Sequence, residues 1–201
     1  MKNRILFVND VLSIGGVELS LIDVLNHLDY SQVEVDLYIL HPKYDLLHRV
    51  NPQVHLLQVK EWRCKASLAY LWFYLWLQVF KLLSCKDMEA LVTDRITRLY
   101  QRRRKKLYFS KYYDIVIAYK HSEATEFVTT QLEAKKKIVF YHQGEILDYE
   151  LHKQAFQAAT SIVTVSPSVA KLLSEAYPDC RDKMLVIENL VDAATILQRA
   201  K

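Results

Sequence analysis

Arg4-Ile-Leu-Phe-Val8, closed by Asn9-Asp10 and followed by Ile14-Gly15-Gly16-Val17, is the stretch that decides the fold. An unbroken apolar run ended by a polar pair is the pattern of a strand buried on both faces. Gly15-Gly16 then opens a helix in which Val17, Leu21, Val24, Leu25 and Leu28 recur at helical spacing. Residues 33–40 alternate as a second strand, and 54–59 form a weaker third. Residues 114–119, 137–141 and 161–165 are three more short apolar strands, each followed by a helical pattern, and 184–187 supplies a last one. Strands that alternate with helices pair in parallel through crossover connections. The pattern predicts an α/β fold with a doubly wound, mostly parallel, Rossmann-like sheet.

Composition agrees with one large domain, since 201 residues leave no room for two at about 150 residues each. A chain that is 51% hydrophobic and 25% charged can bury a core, which excludes global disorder. The three cysteines, Cys64, Cys85 and Cys180, are odd in number and outside any CxxC pattern. That argues against a disulfide framework or a zinc site and for a reducing compartment. The apolar run of the first strand is too short for a secretory signal, so the expected location is the cytoplasm.

Between the third and fourth strands the alternation breaks, and a helical insertion is expected over about 62–111. Residues 66–83 read ASLAYLWFYLWLQVFKLL, with only Gln78 and Lys81 clearly polar. Eighteen residues at about 1.5 Å each approach a membrane span, but Trp72, Tyr74 and Trp76 sit mid-segment, where aromatic residues of that kind are not favoured. Two readings stay open: a helix packed on the domain, or one lying on a bilayer surface, on the inner face of the membrane. From 95 to 111 there are eight basic residues and no acidic one, with Arg102, Arg103 and Arg104 at the centre. Such a block is either a solvated helix face or an anion-facing surface. The net charge of +4 is low for a nucleic-acid binder, and no helix-turn-helix pattern is visible, so no nucleic-acid partner is expected.

The loop after the first strand is the first site candidate. Two glycines let a backbone approach a ligand, and the helix that follows offers unpaired N–H groups at its positive end. It lacks the third glycine of a dinucleotide-binding GxGxxG motif, which counts against a nicotinamide-binding Rossmann protein. Ser13-Ile-Gly-Gly-Val-Glu-Leu-Ser-Leu-Ile22 resembles the GG-x-E signature that opens the amino-terminal domain of GT-B fold retaining glycosyltransferases of family four. Three further segments are similar in the family's order. Lys137-Ile-Val-Phe-Tyr-His-Gln-Gly144 resembles a strand ending in an aromatic residue and a histidine. Ile162-Val-Thr-Val-Ser-Pro-Ser-Val-Ala170 resembles the strand-to-helix junction, and Lys183-Met-Leu-Val-Ile-Glu-Asn-Leu-Val-Asp192 the segment that closes the first domain.

The resemblance implies one half of a GT-B architecture. Residues 1–192 would be the acceptor-side domain, and 193–201 the start of a linker to a carboxy-terminal donor domain, absent here or supplied by a partner subunit. It implies sugar transfer from a nucleotide sugar to a glycan or lipid-linked acceptor with retention, as in polysaccharide biosynthesis, with no metal or other cofactor. The isolated chain is then expected to be inactive, and a non-catalytic binding half is the alternative. By the same resemblance His142 would contact the transferred sugar, with a half-buried histidine bonded to backbone as the alternative. Gly15 and Gly16 would bring backbone N–H groups near phosphates or acceptor, joined by Glu18 and Gly144. Glu18 reads equally as a dipole-matching helix start. Asn189 and Asp192 would shape the interdomain hinge. Glu145 and Asp148 are carboxylates near His142 with no implied role as a base, and Ser166-Pro167 reads as a helix cap. Trp72, Trp76, Arg102, Arg103 and Arg104 would form a membrane or acceptor surface.

Overall fold

The computed structural model describes residues 2–60, 63, 65–83, 86–109, 111–146 and 149–190. Trp62, Cys64, Cys85, Asp148, Asp192 and the segment 193–201, all singled out in the sequence, lie outside the described residues. The chain forms two compact units, one from the residues up to Leu57 together with those from Tyr112 onward, the other from 58–111.

The first unit is built on seven strands: β1 (Asn3–Asn9), β2 (Val33–Ile39), β3 (His55–Leu56), β4 (Tyr113–Ala118), β5 (Ala134–Tyr141), β6 (Ser161–Thr164) and β7 (Met184–Val186). All pair in parallel, in the order β3-β2-β1-β4-β5-β6-β7. This is the doubly wound, Rossmann-like arrangement that the strand–helix alternation predicts. The third strand is shorter than the pattern over 54–59 suggests and keeps only two residues on the sheet edge.

Apolar runs become central strands because both faces are covered. Ile5 and Phe7 of β1, Leu37 and Ile39 of β2 and Ile117 of β4 share a core with Leu21, Ile22 and Leu25 of helix α1 (Gly16–His27). The alternate residues Leu6, Val8, Val116 and Ala118 are equally buried. On that other face the ring of Tyr38 lies 5.5 Å from that of Phe127, in the helix that follows β4. Asp36 locks the amino end of the sheet, accepting from Tyr113 Oη at 2.6 Å and pairing with His55 Nδ1 at 2.8 Å. After β6, Ser166 caps the helix Pro167–Ala176 by accepting from the Val169 N–H, with Pro167 in its first turn.

The second unit is a helical hairpin, α2 (Leu68–Leu82) and α3 (Lys86–Tyr108). Ser67 caps α2 by accepting from the Tyr70 N–H at 3.1 Å. Leu77 and Val92 are buried. At one end Lys81 pairs with Glu89; at the other the Arg103 guanidinium donates to the carbonyls of Arg63 and Ala66. Among the described residues no helix is long and apolar enough to cross a membrane.

Candidate functional site

The strand order reverses between β1 and β4, and the crevice outside their carboxyl ends is where sheets of this kind bind ligands. Side chains from β1, α1, β4 and β5 meet there. The loop leaving β1 is rigid. Asn9, fully buried, donates to the Val11 carbonyl at 2.7 Å, and Leu12 is held by backbone bonds to Lys43 and Leu46. Asp10 accepts from the Ala124 N–H at 3.2 Å, beside the Ser122 hydroxyl that caps the same turn after β4.

Gly15 is the N-cap of α1, with extended backbone that any residue adopts. A Cβ there would meet Oε2 of Glu18, so a larger residue would have to push that carboxylate aside. The Glu18 side chain turns back over the loop, is buried, and takes Lys120 Nζ at 3.3 Å on its other oxygen. Lys120 follows β4 and is about one-third exposed, so the buried carboxylate is paired while its cation still reaches solvent. Glu18 lies in the first turn of α1, as the helix-start reading has it, and its specific partner is Lys120. At Gly16 and Gly144 a Cβ would meet nothing within 4 Å, so packing within the chain does not require a glycine at either position.

His142 leaves the end of β5 half-buried, its ring stacked on Phe140 and tilted against Tyr119. Its Nε2 lies 2.8 Å from the Tyr119 carbonyl oxygen. A carbonyl only accepts, so Nε2 carries the hydrogen and Nδ1 keeps its lone pair. Burial pushes its pKa below the ordinary histidine value, against the Tyr119 bond and the Glu18 charge, which raise it; Lys120 adds to the lowering. The residue is a fixed neutral imidazole with one acceptor nitrogen. The backbone bond is the feature of the alternative reading, and it also aims the ring.

Asn189 comes to the same edge. Tyr119 Oη and Ser20 Oγ are 2.8 Å apart, and Ser20 Oγ donates to Asn189 Oδ1 at 3.0 Å, so the Tyr119 hydroxyl donates to Ser20. Tyr119 therefore joins three partners from its own atoms: its carbonyl holds His142, its hydroxyl holds Ser20, and its ring stacks on Phe140 at 4.7 Å.

His121 is a further buried group that the sequence reading passed over. Burial, with His152 next and Gln143 opposing, takes its pKa down to about 4. Three buried polar atoms lack a hydrogen-bond partner among the described residues: Asn9 Oδ1, His121 Nδ1 and Gln143 Oε1. They belong to residues at the carboxyl ends of β1, β4 and β5. Lys120, His121 and Ser20 carry no motif; the one sequence signal was the polar run Tyr119-Lys120-His121 at a strand's carboxyl end. Glu145 is exposed, and its carbonyl accepts from the Tyr141 hydroxyl at 2.6 Å. Trp72, Trp76, Arg102, Arg103 and Arg104 lie in the helical hairpin. Among the described residues no group of three or more His, Cys, Asp or Glu side chains could hold a metal ion.

No family model matches the chain, and no curated protein matches it in sequence. Solved structures do match. HepE of Anabaena, in complex with UDP and glucose, aligns at 17% identity with a TM-score of 0.49 over 94% of this chain and 45% of its own. In complex with UDP-glucose it aligns at 16% identity with a TM-score of 0.47, over 94% and 44%. The apo form of the lipopolysaccharide outer core galactosyltransferase WaaB aligns at 15% identity with a TM-score of 0.42, over 94% and 46%. This chain spans less than half the length of each. The fold assignment itself rests on the strand order.

Proposed function

We propose that the chain is the acceptor-side half of a GT-B glycosyltransferase of the family-four type, moving a sugar from a nucleotide donor to a glycan or lipid-linked hydroxyl with retention. The observation that carries the reading is that the GG-x-E loop, through Glu18, and His142 are both tied to the residues that follow β4, Lys120 and Tyr119, beside the point where the sheet's order reverses. Gly15 and Gly16 then offer the N–H groups of the α1 terminus to phosphate or acceptor, with Glu18 locking the loop's shape through Lys120. His142 presents one acceptor nitrogen, suited to a sugar hydroxyl, and being neutral it does not compete with the charge of the diphosphate. In the transfer, the anomeric C–O bond to the diphosphate breaks and a bond to the acceptor oxygen forms on the same face. The acceptor proton passes to an oxygen of the departing nucleoside diphosphate, which carries the remaining negative charge. On this reading that charge is met by backbone dipoles and by cations of a second domain rather than by a metal. Gly144 and Asn189 would line the substrate's approach, and the reaction would take place on the cytoplasmic side.

The test is nucleoside diphosphate release from a panel of UDP-, GDP- and CDP-sugars. The enzyme is the product of the whole gene, or this chain with a supplied donor-side domain. Acceptor-dependent release by the wild type, lost in His142→Ala far out of proportion to a fall of a few degrees in melting temperature, is the expected result. No consumption of any donor would overturn the reading.

A further inference from the structure

We infer that the hairpin 68–108 is a docking surface for an anionic lipid bilayer, an inference that does not depend on the transferase reading. Helix α2 is apolar on its outer side. Leu68, Leu71, Trp72, Leu75, Val79 and Leu82 recur at spacings of three and four residues, which places them on one side of the helix. All are exposed, from 43% for Val79 to 88% for Leu68, whereas Leu77, half a turn away from that side, is buried. The hairpin thus packs through Leu77 and leaves the larger apolar stripe open, with a shallow groove at Leu68–Leu71–Trp72–Leu75. The Trp72 and Trp76 rings meet edge-on at 6.0 Å within this surface.

Helix α3 supplies the charge. Arg95, Arg98, Arg102 and Lys106 follow one another at three, four and four residues and so line one side of it. Arg95, Arg102 and Lys106 are exposed, while Arg98 is paired with Asp94. Arg103 plays a different part, since its bonds to the carbonyls of Arg63 and Ala66 hold the basic half of α3 beside the amino end of α2. The basic half of α3 and the Leu68–Trp72 end of the stripe therefore lie at the same end of the hairpin.

An apolar, tryptophan-bearing stripe next to a line of cations matches the two chemistries of a lipid surface, acyl and headgroup boundary on one side and anionic phosphate on the other. A second copy paired stripe to stripe in parallel would bring two basic lines together, and an antiparallel pair is the occupant that the dimer outcome of the test detects. With 15 residues, α2 spans about 22 Å, short of the roughly 30 Å hydrocarbon core, so it lies in the interface plane.

Vesicle co-sedimentation of the 201-residue chain tests this, with neutral phosphatidylcholine vesicles against vesicles mixed with phosphatidylglycerol. Expected are binding to the anionic vesicles alone, weakening as salt rises, and quenching of tryptophan fluorescence by brominated lipid. Combined Arg95→Glu, Arg102→Glu and Lys106→Glu should reduce binding more than about tenfold, as should Trp72→Ser with Leu75→Ser. Arg103 is left intact so that the hairpin persists, and circular dichroism checks that it does. The comparison of the two vesicle types uses the wild-type chain and needs no variant. Equal or negligible binding to both vesicle types overturns the inference. So does binding that survives charge reversal, or a concentration-dependent dimer that Trp72→Ser disperses.

Discussion

Oε2 of Glu18 stands where a Cβ on Gly15 would go, while its Oε1 holds Lys120 at 3.3 Å across 102 positions of sequence. One carboxylate therefore links the loop after β1 to the residue that follows β4.

This relationship predicts coupled stability effects. Gly15→Ala should displace the carboxylate, and Lys120→Ala should leave it buried without its cation, each costing about 1–3 kcal/mol. Against a Glu18→Ala background, which removes both the carboxylate and its bulk, both should cost much less. Urea denaturation of the four corners of each double-mutant cycle measures this, and additive losses would show the three residues to be independent.

The chain from Tyr119 through Ser20 to Asn189 has a direction, and that makes the two hydroxyl deletions unequal. Tyr119→Phe removes a donor while Ser20 keeps its bond to Asn189, a loss of about 0.5–1.5 kcal/mol. Ser20→Ala strands the hydroxyl of the buried Tyr119 and should cost about 1–3 kcal/mol. Chemical denaturation that ranked Tyr119→Phe as the worse variant would reverse the direction of the hydrogen bonds.

Stability should fall in acid ahead of the carboxylates. His121 titrates at about 4 in the folded protein against 6.5 in the unfolded chain, so between these values the unfolded state binds the extra proton. Its contribution is fully present above pH 6.5 and is lost as pH falls to about 4, up to about 3 kcal/mol in all. His142, also lowered, acts in the same direction. The groups facing His121 are His152, His142 and Lys120, each of which disfavours a second positive charge there, while Gln143 favours it. Asp29, Asp94 and Asp114 are lowered below 3.8 and lose their contribution only beneath that window. Urea midpoints from pH 7 to pH 4 should drop for the wild type and stay flatter for His121→Gln.

His142→Gln separates aiming from chemistry. The Gln amide N–H₂ reaches about as far as Nε2 and can still donate to the Tyr119 carbonyl, so melting should shift by only a few degrees, while transfer in the complete enzyme should fall by about a hundredfold or more. A variant with normal turnover and a lowered melting temperature would leave His142 as a structural residue.

The order and type of the strands were legible in the sequence because a sheet covered on both faces needs unbroken apolar runs. Those runs, bounded by Asn9-Asp10 at β1 or Ser166-Pro167 after β6, depend on local residues alone. Gly15-Gly16 and His142 could be nominated on the same ground, since they sit where a strand ends and ligands collect. Tertiary structure alone decided what these residues do. Glu18 faces Lys120, His142 bonds the Tyr119 carbonyl and Ser20 reaches Asn189 because parallel pairing lays β4 beside β1 and β5 beside β4. The partners lie 102, 23 and 169 positions apart, and no local pattern carries such distances. Likewise the composition of α2 showed an apolar helix, but which side it buries, Leu77 and not Trp72, followed only from its packing within the hairpin.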